Sequence, residues 1–290
     1  MAPASLIIFD YSGTLSLQAP RFGRPEHLMK ELDACGLTVF GIDSVDIFWN
    51  ELVNPTWAEG STTSAGYTFL LEKHIGEHLR EAAIRPDQRM IHVAADCFVR
   101  RYMTYSTIDP RWIPFLQWLD TLPEAVKLIA TDHYSEATAA IIAHLNKCGI
   151  KGVSLPDLPE SETLHGRIIV ANSADLGVHK AERGFWEIIK ARLHLPSIGR
   201  ILIVDDFGAH EQTGDAYGAA AGVASRRQET LDMLRNVFSA PVEAVDFRAD
   251  HAESSVSEED CFDCLIGRTI IKIKDSLSLN HDPVQCQSDQ

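Results

Sequence analysis

Four places along the chain carry side chains able to do chemistry together, and they stand at or near the ends of apolar runs. Asp10 closes "LIIFD", Thr131 closes "VKLIAT", and Asp205 and Asp206 close "RILIVDD". Lys180, in "GVHKAERGFW", opens the helical stretch before the last of these runs. Carboxylates gathered at one place repel each other. They stay ionised together only if a cation joins them, and hard oxygen ligands suit Mg²⁺.

The elements that must bring these residues together are legible in the same stretches. Short, continuous apolar runs fit strands buried on both faces, as in a parallel sheet. Four such runs occur, at 6–9, 126–131, 166–172 and 200–206. Helical patterns separate them: one from Ser135 through Ile141, Ile142 and Leu145 to Gly149, one over Phe185–Leu193, and one from about Glu211 to Gly222. Strands alternating with helices predict an α/β fold with a doubly wound, Rossmann-like parallel sheet. Ligands of such sheets bind beyond the carboxyl ends of the strands. Asp10, Thr131, Asp205 and Asp206 are therefore expected at one sheet edge, and Lys180 can point to the same edge.

Residues 17–122 show no convincing strand. Tyr67, Leu70, Leu71, Ile75 and Leu79 share one helical face, as do Ile91, Ala94, Ala95, Phe98, Val99 and Tyr102. Pro86 and Pro110 are expected near helix starts. The expected organisation is an α/β core from 1–16 and 123–240, a helical insertion over 17–122, and an extension over 241–290. The stretch "NPTWAEGSTTSAG" (54–66) reads as a connecting loop, with the alternative that it reaches the site and selects substrate. Near the C-terminus, "DHAESSVSEEDC" is acidic and serine-rich, "CLIGRTIIKIKDSLSL" suits a helix or a strand, and "NHDPVQCQSDQ" reads as a loose tail.

The four stations, in this order and spacing, resemble the haloacid dehalogenase (HAD) superfamily along residues 5–223. "FDYSGTL" matches its first motif, Thr131 the second, Lys180 the third without the proline that often follows, and "ILIVDDFGAHE" the fourth. The resemblance implies a HAD-like core and makes the helical insertion a cap of the first type. It implies that Asp10 is a nucleophile forming a covalent aspartyl intermediate. Mg²⁺ would be held by Asp10, the carbonyl of Ser12, and Asp206, with Asp205 as a further ligand or as the group orienting a metal-bound water. Gly13, Thr14, Thr131, Asp132 and Lys180 would surround the transferring group. Lys180 would offset the charge gathered around Asp10.

One position departs from the pattern. Phosphatases of the superfamily usually carry aspartate where this chain has Ser12, and that aspartate serves as acid and base. Serine has no useful pKa for this work. Members without the acid include ion-pumping ATPases, phosphonoacetaldehyde hydrolases and the dehalogenases themselves. The dehalogenases use no metal and lack an acidic fourth motif, so Asp205 and Asp206 argue against dehalogenation. Three functions remain: a Mg²⁺-dependent hydrolase of a small phosphorylated metabolite, a C–P bond hydrolase that would need Lys30 or Lys73 as a Schiff-base lysine, or a binding or regulatory protein that has lost turnover. Glu211 reads as an acid in the first turn of a helix, His133 as a loop histidine, and Arg100 and Arg101 as surface residues.

Composition bounds the partners. Over 290 residues, 45 % hydrophobic and 23 % charged content is that of an ordinary globular protein. A net charge of -15 disfavours nucleic acid and anionic membrane surfaces. A small anionic substrate remains compatible with a locally cationic or metal-bearing site. The N-terminus lacks the basic and apolar regions of a signal peptide. Cys35, Cys97, Cys148, Cys261, Cys264 and Cys286 are scattered, so no disulfide framework is expected and a cytoplasmic setting fits. Cys261 and Cys264 read as two cysteines on one helical turn.

Overall fold

Leu6, Ile7, Ile8 and Phe9 are each completely buried, which is why the first strand shows no polar alternation. In this computed structural model, which describes residues 4–85, 87–159, 164–194, 197–249 and 257–278, that strand is β1 (Ala4–Phe9) at the centre of a parallel sheet. The other strands are β2 (Ala125–Thr131), β3 (Gly152–Ser154), β4 (Ile168–Asn172), β5 (Ile198–Asp205) and β6 (Val242–Asp246). Their order is β3-β4-β2-β1-β5-β6, and every pairing is parallel. The chain leaves β1 to build one side of the sheet and later returns to build the other. The topological switch therefore lies beside β1, where a crevice opens beyond the carboxyl ends.

Alternate residues of β1 face opposite layers. Leu6 and Ile8 join a core with Leu128, Ile203 and Trp186. Phe9, on the other face, meets Trp112 and Phe115 edge-on at centroid distances of 5.9 and 6.5 Å. Burying side chains of this size stabilises the fold by about 1.5–3 kcal/mol each.

Every element between β1 and β2 is helical. These are α1 (Gln18–Phe22), α2 (Pro25–Ala34), the short α3 (Val45–Ile47), α4 (Asn54–Gly60), α5 (Tyr67–Glu81), α6 (Gln88–Tyr105) and α7 (Ile113–Asp120), with a π-helical segment Phe48–Val53 leading into α4. The buried faces of α5 and α6 are those expected: Leu70, Leu71 and Ile75 on one, Ile91, Ala95 and Phe98 on the other. After β2 come α8 (Glu136–Lys147), α9 (Ser173–Leu176), α10 (Arg183–Leu193), α11 (Ala220–Phe238) and α12 (Glu258–Ser278). Residues up to Asp246 form one compact unit, and those from Phe247 form a second. In the second unit "CLIGRTIIKIKDSLS" is helical within α12, and Cys261 and Cys264 are free thiols on it.

Two element readings are corrected. Segment 54–66 is not all loop: Pro55 occupies the first turn of α4, where its missing N–H costs nothing. The helix expected over 211–222 begins only at Ala220, because Phe207 and Gly208 take positive φ and the chain turns through Gly214 and Asp215 first. Pro86, most of the acidic stretch 250–261 and the tail from Asn280 lie outside the described residues. Among the described residues, no helix is long and apolar enough to cross a membrane.

Candidate active site

Strand register builds the site. Phe9 pairs with Ile129 on one side and Val204 on the other, so the residues that follow, Asp10, Ala130 and Asp205, stand abreast. The Asp10 amide continues the ladder by donating to the Val204 carbonyl at 2.9 Å. One ligand oxygen from each of Asp10, Asp205 and Asp206 lies within 4.8 Å of the others. All three residues are buried, Asp206 completely.

Lys180 reaches into this group. Its Nζ donates to Asp10 Oδ1 at 2.6 Å and to Asp205 Oδ2 at 2.8 Å. Its own amide donates to Asp132 Oδ1 at 2.8 Å, and Tyr217 donates its hydroxyl hydrogen to Asp132 Oδ2 at 3.3 Å. Asp132 thus anchors the backbone that delivers the lysine. Burial opposes charge on Lys180, but Asp10 and Asp205 outweigh it and hold the ammonium well above its ordinary pKa. Burial pushes the Asp10 carboxyl well up; Lys180 pulls it back, and the charges of Asp205 and Asp206 add to the rise. Burial also raises Asp205; Lys180 and the Phe207 amide oppose the rise, and the Asp206 charge adds to it.

Three carboxylates face one ammonium. That imbalance, in a site almost free of solvent, is the condition under which a divalent cation is held by oxygen ligands. The residues fit Mg²⁺.

The turn after β1 is shaped to the acids. Gly13 has φ +75°, and a Cβ there would stand 2.6 Å from Asp206 Oδ2. The Asp206 amide donates to Thr14 Oγ1 at 3.1 Å, and the Asp206 carboxylate accepts from the Gly208 and His210 amides at 3.2 and 2.8 Å. Thr14 is completely buried, so its hydroxyl positions Asp206 and does not face the pocket. Gly13 likewise spends its amide on the Ser16 carbonyl at 2.9 Å. Gly13→Ala is expected to cost at least about 1 kcal/mol through the left-handed backbone alone, and to weaken cation binding by displacing Asp206. Denaturant unfolding and a Mg²⁺ titration check both effects.

Over these groups lies a pocket of about 780 Å³ counted to its open mouth. Asp10, Ser12, Thr131, Asp132 and Asp206 line its floor. Its walls come from the helical segment and from residues after β2 and β5, among them Trp49, Trp57, Tyr102 and Tyr217. Trp57 belongs to the stretch 54–66, whose expected alternative was to reach the site. Asn54 ties α4 to the turn after β5: its Nδ2 donates to the Gly214 carbonyl and its Oδ1 accepts from the Ala216 amide, both at 3.0 Å.

Ser12 donates its hydroxyl hydrogen to Glu211 Oε1 at 2.7 Å. Glu211 is therefore a pocket residue, not an acid of a helix's first turn. Burial raises its carboxyl well above the ordinary range, and Asp215 and Asp206 add to the rise. His133 is buried at the pocket wall. It accepts from the Tyr134 amide at Nδ1, so its proton sits on Nε2, 3.0 Å from the Tyr102 hydroxyl. Burial lowers its pKa to about 4. Arg100 pairs with Asp96 and Arg101 with Glu31, and neither lines the pocket.

An all-parallel sheet of this order, with an aspartate beyond its central strand and acids beyond the neighbouring one, defines the class: the chain has the HAD-like fold. A solved structure agrees. A 2-haloacid dehalogenase from Pseudomonas syringae pv. Tomato DC3000 is similar at TM-score 0.50 and 14 % identity, over 88 % of this chain and 91 % of that one. The L-2-haloacid dehalogenase from Xanthobacter autotrophicus, with chloropropionic acid covalently bound, gives 0.43 and 13 % over 90 % and 87 %. The HAD-hydrolase YfnB from Bacillus subtilis, bound to magnesium, gives 0.42 and 15 % over 75 % and 86 %. At 14 % identity the first of these likenesses shows the fold alone. Sequence comparison matches no family profile and no curated protein.

Proposed function

We propose that the chain is a Mg²⁺-dependent hydrolase of a small phosphorylated compound, acting through an aspartyl phosphate on Asp10. The observation that carries this reading is the buried Lys180 ammonium, bonded at once to Asp10 and Asp205 beside Asp206, with Asp10 and Asp206 themselves lining the pocket. Asp10, Asp206 and the Ser12 carbonyl would hold Mg²⁺, with Asp205 beside them; bound there, the ion supplies charge neutralisation and Lewis acidity at the phosphoryl group.

The chain's own groups do the rest. Lys180 fixes the Asp10 carboxylate and brings positive charge to it. Thr131, which ends β2 and lines the pocket, would bind a phosphoryl oxygen. An Asp10 oxygen attacks phosphorus, and the bond from phosphorus to the leaving oxygen breaks. Water then attacks phosphorus, releases inorganic phosphate and restores the carboxylate. Ser12 itself adds no acid, because an alcohol has no useful pKa for that work; its hydroxyl donates to Glu211.

The rival readings lose their supports. A Schiff base needs a lysine in the pocket, but Lys30 is exposed and Lys73 pairs with Glu59 at 3.2 Å, and neither lines it. A protein without turnover has no reason to keep three buried carboxylates around one lysine, an arrangement that is destabilising until a cation joins it.

Assaying phosphate esters, acyl phosphates, phosphonates and 2-haloacids with and without Mg²⁺ tests the reading. Mg²⁺-dependent release of phosphate is expected; halide release without metal would overturn it. Mg²⁺ is also expected to raise the melting temperature. At a hundredfold excess over Kd the gain is about 2.7 kcal/mol, or roughly 5–10 °C for a chain of this size. Asp206→Asn should abolish that shift.

A further inference from the structure

The pocket wall is aromatic and carries no cation. Phe22, Phe48, Trp49, Trp57, Phe98 and Tyr102 face the cavity, and no described lysine or arginine lines it. Trp57 meets Tyr134 and Tyr217 edge-on, at centroid distances of 5.5 and 5.4 Å, and forms a ring-lined corner. Three tyrosine hydroxyls of the wall are already paired. The Tyr134 hydroxyl meets Thr56 at 2.9 Å, Tyr102 meets His133, and Tyr217 meets Asp132. The hydroxyls of a sugar would meet ring faces over much of that wall, where their desolvation goes uncompensated. A second phosphate would face Glu211 and Asp215 with no positive side chain to receive it.

Ser12 supplies an independent observation. The position that lacks an acid faces this same pocket, and its hydroxyl is held by Glu211. Alkoxides need a proton in order to leave. A phenolate leaves readily without one, since a phenol such as the tyrosine side chain has a pKa of about 10. An aromatic wall and a serine where an acid is usual ask for the same leaving group.

We propose that the substrate is a phosphomonoester of a small, uncharged phenol, and not a sugar phosphate, a nucleotide or a bisphosphate. The reaction rests on the phosphoryl reading above; the leaving group rests on the wall. An Asp10 oxygen bonds to phosphorus, and the aryl oxygen departs with the P–O electron pair and takes a proton from solvent. Water then cleaves the acyl phosphate to inorganic phosphate and the free carboxylate.

The test pairs kinetics with binding. Phenyl phosphate, glycerol 3-phosphate, glucose 6-phosphate and acetyl phosphate are compared with Mg²⁺ present, and phenol alone is titrated by calorimetry against the wild-type protein. Phenyl phosphate is expected to exceed the glycerol and glucose esters in kcat/KM by at least tenfold, and phenol to bind saturably. Trp57→Ala should raise KM for phenyl phosphate about tenfold, and Trp57→Phe, which keeps a ring, should recover most of that loss. Hydrolysis of acetyl phosphate with no preference for the phenyl ester and no phenol binding would overturn the aromatic assignment and leave the phosphoryl reading standing. Saturable phenol binding with no hydrolysis of any phosphate would support the aromatic pocket and overturn the phosphoryl reading.

Discussion

Asp10→Asn is expected to reduce turnover at least about 10⁴-fold, the scale seen when a nucleophile is deleted from a unit of interacting groups. The substitution is nearly isosteric, so β1 and the turn that follows it keep their packing. Its electrostatic effect on the fold is mild in sign. Burial and the charges of Asp205 and Asp206 raise the Asp10 carboxyl, which means that the fold disfavours its negative charge. Removing that charge relieves the repulsion, while Lys180 keeps Asp205 as a partner at 2.8 Å. The variant should melt within a few degrees of wild type when Mg²⁺ is absent. A rapid-quench experiment with phosphorus-labelled substrate should find covalent phosphate on the wild-type protein and none on the variant. A folded variant with near-normal turnover would mean that another group attacks.

The residues this variant probes were legible because each is tied to a strand end. A strand buried on both faces has to be apolar throughout, and the first polar residue after it marks the sheet edge. Asp10, Thr131, Asp205 and Asp206 are of that kind, and the strands at 6–9, 126–131, 166–172 and 200–206 end where expected or within a residue of it. β3 and β6 lie at the two edges of the sheet. β3 has only three residues, and β6, "VEAVD", alternates exposed acids with half-buried or buried apolar residues, so neither presents an apolar run. Glu211 was hidden by a backbone feature without a compositional cue, the positive φ at Phe207, a residue type that rarely adopts it. Gly208 and the Gly214–Asp215 pair were the available signals that the chain turns before α11. The pocket wall was illegible for a different reason. Trp57, Tyr102, Tyr134 and Tyr217 come from four separate stretches, and no period in the sequence relates them.

Ser12→Asp tests what the departure from the first motif is for. In the wild-type protein the Ser12 hydroxyl donates to Glu211, whose carboxyl burial already pushes well up. The new side chain replaces a donor with a second carboxylate on the same partner. Two carboxyls at hydrogen-bond distance cannot both ionise, so they share one proton and the site gains charge beside Asp10 and Asp206. The native reaction, whose aryl leaving group needs no protein acid, should therefore slow by about tenfold or more, through repulsion of the anionic substrate and competition for the metal. Adding Glu211→Gln to this variant restores a donor to the pair, so the double variant should recover much of the lost rate. It should also gain on alkyl phosphates, where general acid–base help is worth about 10²–10⁴-fold. The measurement is kcat/KM over a series of esters graded by leaving-group pKa. The expected signature is a steep dependence in wild type and a shallow one in the double variant. If Ser12→Asp alone leaves aryl phosphate hydrolysis unchanged, or speeds it, serine at this position is a loss that the site tolerates and not a fit to its substrate.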